Sequence, residues 1–212
     1  MNTLIDFILH IDKHIINLVT YFGDWTYLLL FAVIFIETGI VIMPFLPGDS
    51  LLFAASAISA NPQYHLNIWI FILIFLLASF LGDTLNFYLG DKIGYRITKM
   101  KLVAKVIKPK QLDQAKAFFD KYGILAIFIA RFMPIIRTLA PFIAATSGYK
   151  YEKFIKYNLS ACIVWVGLCC GAGYFFGNIP FVQEHFSIVV IGIILVTLIP
   201  GIVAFIKERR NK

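Results

Sequence analysis

The sequence is poor in charge. Only 15% of its 212 residues are Asp, Glu, Lys or Arg, and 60% are hydrophobic. An ordinary soluble domain carries about 25% charged residues, so a water-facing surface cannot be built from this composition. With a mean hydropathy of +0.82, the chain reads as one compact integral membrane domain, 1–212. Cysteine is scarce as well: Cys162, Cys169 and Cys170 fall in one apolar segment without metal-type spacing. They are expected to be buried packing thiols and supply no disulfide framework. The N-terminus lacks a basic stretch and a small-residue cleavage site, so no cleaved signal peptide is expected. There is no Gly-x-Ser-x-Gly elbow, no Walker-type loop and no His-Glu-x-x-His pair. His10, His14, His65 and His185 all fall near expected surfaces, away from the apolar segments that carry arginine. The chain is therefore read as no enzyme, with no cofactor and no metal.

The basic residues are present but gathered. Of 19 Lys and Arg, nine lie between Lys92 and Lys121, with further groups at Lys150, Lys153 and Lys156 and at Lys207, Arg209, Arg210 and Lys212. Clusters between apolar segments follow the positive-inside rule and do not form a nucleic-acid surface. They orient the chain. Residues 1–23 form an amphipathic stripe, with Leu4, Ile8, Ile11 and Ile15 opposite Asp6, His10 and Lys13, expected to lie in the interface. Residues 66–90 and 154–177 read as transmembrane crossings, and 186–206 as a third leading to a cytoplasmic basic tail, 207–212. Asp83 and Asn86, near the end of the first crossing, read as capping or packing groups. Residues 91–121 form a cytoplasmic basic segment in which Pro109 is placed to open an amphipathic helix.

Two segments do not fit a plain crossing. In 24–60, apolar runs too short to span flank Pro44, Pro47 and Gly48, with Glu37 and Asp49 among them. In 122–149, Arg131 and Arg137 flank Pro134, and Pro141 follows. Broken backbone at membrane depth survives only where it is buried in protein or lines a cavity. Both segments are read as re-entrant hairpins, a broken span being the alternative for the first, with these prolines as breakers and Gly48 at a sharp turn. Basic residues flank 122–149 on both sides, so it enters and leaves by the cytoplasmic face, and the first hairpin then dips from outside. An internal repeat agrees. Pro44 with Ala54-Ala55-Ser56 matches Pro134 with Ala144-Ala145-Thr146, and Phe87-Tyr88-Leu89-Gly90 matches Tyr174-Phe175-Phe176-Gly177. The expected fold is an all-α membrane protein, an inverted repeat of two hairpins plus about three crossings and interfacial helices.

A bilayer-embedded charge is costly, about 2.5–3.5 kcal/mol at a helix centre, so it calls for a partner or a function. Arginine is effectively always ionised and offers a planar fork suited to phosphate. Arg131 and Arg137 can hold a phosphate head group, or can merely pair with Glu37 and Asp49 or reach to the cytoplasmic surface. The carboxylates can bind and release protons as burial and arginine pull their pKa in opposite directions, or can be structural partners.

Three stretches in order carry a resemblance: Glu37 with Phe45-Leu46-Pro47-Gly48-Asp49, then Tyr88-Leu89-Gly90-Asp91-Lys92-Ile93-Gly94, then Arg131-Phe132-Met133-Pro134-Ile135-Ile136-Arg137-Thr138. Over residues 24–206 the chain resembles the DedA family, the bacterial branch of the VTT or SNARE-associated domain proteins. Ala144-Ala145 departs from the Ala-Gly expected there. The resemblance implies facing re-entrant hairpins in the bacterial inner membrane and transport of lipid-linked phosphate, most notably recycling of undecaprenyl phosphate. It implies functional roles for Glu37, Asp49, Arg131 and Arg137, with proton motive force as driver. The leading expectation is a proton-coupled flippase with a phosphate-headed lipid, protons and the membrane as its partners, a homo-oligomer being left open. A phospholipid flippase or scramblase, a proton-coupled ion antiporter and a membrane scaffold are the competing readings.

Overall fold

The computed structural model describes residues 21–40, 48–93, 109–123, 125–131 and 133–177, with Asn17, Ile179, Pro180, Val182, Val189 and Gly192. The interfacial helix expected over 1–23, apart from its last residues, lies outside this set, as do Pro44 and Pro47, the body of the crossing expected over 186–206, and the tail.

Every regular element among the described residues is helical. Helix α1 is Trp25–Gly39, α2 is Gly48–Ser59, and a short 3-10 turn at Pro62–Tyr64 leads to α3, Ile68–Ile93. Then follow α4 (Pro109–Tyr122), α5 (Leu125–Ala130), α6 (Pro134–Thr146) and α7 (Tyr151–Phe176). At 26 residues each, α3 and α7 are long and apolar enough to cross a membrane. Their length of about 39 Å exceeds a hydrocarbon core of about 30 Å. By contrast α1 and α2, with 15 and 12 residues, are each too short for an upright crossing. Pro109 does open α4, as expected from its missing N–H at the first helical position.

Two packed cores lie at opposite ends of the long helices. One joins Leu30 and Ile34 of α1, most of α2, Phe71 and Phe75 of α3, and Trp165 and Cys170 of α7. The other joins Phe87 of α3, Phe119 of α4, Ala126 of α5, Phe142 and Ile143 of α6, and Phe154 of α7. The start of α3 therefore packs with the end of α7 and the reverse, so the two long helices run antiparallel. Polar residues meet where the cores join.

The packing is reciprocal. Helix α3 lies on α6, and α7 lies on α2, so each long helix packs on the short helix of the other half. Glycine permits both approaches. A Cβ on Gly90 would sit 2.6 Å from the Phe142 carbonyl oxygen, and one on Gly173 would run into the Phe53 carbonyl. Backbone cannot yield as a flexible side chain does. Gly90→Ala is expected to cost about 1–3 kcal/mol by overpacking. Thermal unfolding in detergent checks this, and an unchanged midpoint would remove Gly90 as the reason for the close approach. Ala145, at the departure noted in the sequence, lies beside the same contact, 3.1 Å from the position such a Cβ would take.

Candidate functional site

Helices α1, α2, α3 and α6, with the residue that follows α5, place five charged side chains where the two cores join. Arg137, near the start of α6, donates through Nη1 to Asp49 Oδ1 at 2.6 Å and through Nη2 to Glu37 Oε1 at 2.8 Å. Segments 24–60 and 122–149 are thus joined by one guanidinium. Gly48 opens α2 and is required by the same contact, because a Cβ there would occupy the space of the Glu37 carboxylate. Its backbone is not left-handed. The sharp turn expected there involves Pro44 and Pro47, which lie outside the described residues.

Arg131 lies just beyond the end of α5, and its partner is Asp83 on α3 rather than Glu37 or Asp49. Both side chains are 3% exposed, so the pair is desolvated and each charge depends on the other. This corrects the reading of Asp83 as a capping group near an interface. Helix α3 continues to Ile93, ten residues beyond Asp83, which puts the carboxylate about 15 Å from that end, near mid-height. Asn86, one turn on, is a packing group as expected. Its Nδ2 donates to the carbonyls of Thr38 at 3.0 Å and Thr138 at 2.8 Å. Because those residues adjoin Glu37 and Arg137, Asn86 sets the register of that ion pair. Asn86→Leu should cost about 1–3 kcal/mol by removing two buried hydrogen bonds. A thermal-shift comparison with wild type measures it, and a loss below about 0.5 kcal/mol would deny Asn86 this role.

Trp165 on α7 completes the cluster, and sequence reasoning missed it. Its ring centroid lies 4.8 Å from Arg131 Cζ and 4.7 Å from Arg137 Cζ. Its Nε1 donates to Asp49 Oδ1 at 3.0 Å. One indole therefore attracts both guanidiniums and fixes one of the carboxylates. Cys162 is buried on the same helix, with Sγ 3.7 Å from Asp83 Oδ2, and Cys170 is buried in the core, in line with the packing role expected for the thiols.

The prolines divide. Pro134 opens α6 directly after the break at Met133, as a breaker should. Pro141, expected as a breaker, lies inside α6 and does not end it. Without an N–H it cannot bond the carbonyl of Arg137 four residues back, and its ring presses that turn open. Beside it is a cavity of about 10 Å³, lined in part by Asp83, Arg131, Arg137, Pro141 and Asn158. Among the described residues no group of His, Cys, Asp and Glu has metal-binding geometry.

These features define an integral membrane protein, helical throughout its described elements, with an arginine–carboxylate cluster between two long antiparallel helices. The VTT domain pattern matches residues 46–175, more than half the chain. The chain is 42% identical over 207 residues to Protein DedA of Escherichia coli K12, covering 98% of this chain and 94% of that one. It is 35% identical over 185 residues to an uncharacterized membrane protein of Mycobacterium tuberculosis H37Rv, covering 86% and 81%. Inner membrane protein YghB of E. coli K12 is 34% identical over 180 residues, covering 85% and 78%. No solved structure matches the chain. The chain belongs to the DedA family of VTT-domain membrane proteins.

Proposed function

We propose that this protein is a proton-coupled flippase for a lipid phosphate, with undecaprenyl phosphate as its substrate in the inner membrane. The observation that carries this reading is the charge balance of the cluster. Two arginines, Arg131 and Arg137, face three carboxylates, Glu37, Asp49 and Asp83, so the fully ionised cluster sums to 2 − 3 = −1. Arginine does not lose its proton in proteins, so only the carboxylates can adjust. A phosphate arriving at the arginines adds further negative charge in a poorly solvated place. Proton uptake by Glu37 or Asp49 would release Arg137 to the head group, while the lipid tail stays in the bilayer. No covalent step is needed, and the protein acts as a transporter and not as an enzyme.

The reciprocal packing of α3 on α6 and α7 on α2 supports a two-fold repeat. In this reading 24–60 and 122–149 are re-entrant hairpins of opposite orientation whose exchange of access moves the head group. The topology has its own check in a cysteine-free background. Gln63→Cys should label from the outer face and Lys150→Cys from the cytoplasmic face, and labelling of both from one side would end the inverted arrangement. For transport, protein reconstituted in vesicles should move labelled polyprenyl phosphate between leaflets faster when a pH gradient is imposed. No movement with or without the gradient refutes the flippase. Equal movement of phosphatidylethanolamine would assign a general phospholipid scramblase.

A further inference from the structure

The hydrogen-bond inventory of Arg131 is uneven. Nη1 is spent on Asp83, whereas Nε and Nη2 are buried without a partner. These two nitrogens form one edge of the guanidinium, the side-on fork that meets two oxygens of a phosphate at once. Asn158 on α7 is 2% exposed, and its Nδ2 is likewise buried without a partner. Arg131 and Asn158 line the same cavity beside Pro141. An unmet buried donor costs about 1–3 kcal/mol, more when charged, so three on two residues that line one cavity call for an acceptor there.

We infer that Arg131 Nε, Arg131 Nη2 and Asn158 Nδ2 form a three-donor corner for the three unesterified oxygens of a phosphate monoester. This rests on the lipid-phosphate reading of the site and adds a selectivity to it. Two oxygens take the Arg131 fork and the third takes the Asn158 amide. A phosphodiester has only two unesterified oxygens, so it would leave the amide buried and unmet. Asp83 remains on Nη1, holding the fork edge-on to the cavity. At about 10 Å³ the cavity admits one oxygen-sized group, so the phosphoryl group enters oxygen first and full engagement widens the space. Arg137, bonded to Glu37 and Asp49 until proton uptake frees it, is the proton-linked contact to the head group, and Arg131 is the arginine that reads its ester state.

Trp165 provides a readout independent of transport. The chain has three tryptophans, and Trp25 and Trp69 are exposed. In a Trp25→Phe, Trp69→Phe background, emission from Trp165 reports on the guanidinium stacked against it. The full-length protein in detergent is titrated with inorganic phosphate, dodecyl phosphate and didodecyl phosphate. The expected result is a saturable change with dodecyl phosphate and about tenfold weaker binding of the diester, the cost of one unmet buried donor. A response to inorganic phosphate at equal concentration assigns the bare phosphoryl group as the recognised unit. Silence there, with dodecyl phosphate binding, assigns the lipid form.

Asn158→Leu should weaken dodecyl phosphate about tenfold and abolish the preference over the diester. If that variant does not fold, Arg131→Lys carries the test, since it keeps the charge, lacks the fork and should lose the same preference. Equal affinity for the two esters in the wild type, or an Asn158→Leu protein within twofold of wild type, overturns the corner. So does the lack of any saturable response. Transport is measured on the same preparations. Movement of polyprenyl phosphate without the preference removes the corner and leaves the flippase standing. The preference without movement does the reverse.

Discussion

Replacing Arg137 with alanine should destabilise the protein by about 3–5 kcal/mol and abolish transport. Among the described residues Arg137 is the one cation bonded to both Glu37 and Asp49, which come from the end of α1 and the start of α2. Without it, two acids face each other in a place from which water is largely excluded. The cost is that of uncompensated charge and not the net worth of the pair. A triple replacement shows the difference: Arg137→Met with Glu37→Gln and Asp49→Asn should recover most of the lost stability, because the uncompensated charge is gone. It should recover none of the transport. Thermal unfolding in detergent and vesicle transport measure the two halves. If Arg137→Ala were as stable as wild type, the buried cluster would not exist as described. Lysine is no substitute, since a point charge cannot bond two carboxylates in a fixed fork while stacking on Trp165.

The second large effect is expected at Asp83. Asp83→Ala leaves Arg131 buried with no carboxylate, at a cost of about 3–5 kcal/mol. Adding Arg131→Met should return part of that loss, so the double variant is more stable than the sum of the single ones by about 1–3 kcal/mol. Additive losses in the four-protein cycle would show that the two side chains do not interact. The cycle also separates structure from recognition. Asp83→Asn keeps a hydrogen-bonding partner on Nη1, so it should disturb folding less than Asp83→Ala while making Arg131 freer to bind an anion.

Much of the site was legible because charge is so rare in this composition. In an apolar chain each acid or arginine needs a reason, and Glu37, Asp49, Arg131 and Arg137 stand out for that alone. The prolines around them marked broken backbone, and α6 does begin at such a break, directly after Met133. Pro141 misled because a proline inside a helix and one that ends it look alike in one dimension. Asp83 was misjudged because the end of α3 could not be placed to within a turn. Three further residues moved that carboxylate from the interface toward mid-height. Trp165 and Asn158 carried no signal at all, since a tryptophan or an asparagine in an apolar helix is unremarkable until its neighbours are known.

By itself the sequence determined the membrane class, the two long helices, the basic segments and the pair of charged, proline-broken stretches. Those follow from local properties: hydropathy over a bilayer's thickness, helix-breaking residues and the cost of an isolated charge in lipid. Tertiary structure alone decided which charge meets which. Arg137 bonds Glu37 and Asp49, Arg131 bonds Asp83, and Trp165 stands against both guanidiniums, because α3 and α7 run antiparallel and each packs on the other half. Partner choice among these five charges, four of them buried, depends on distances of a few ångströms between residues up to 116 positions apart. Periodicity and composition hold no information at that range.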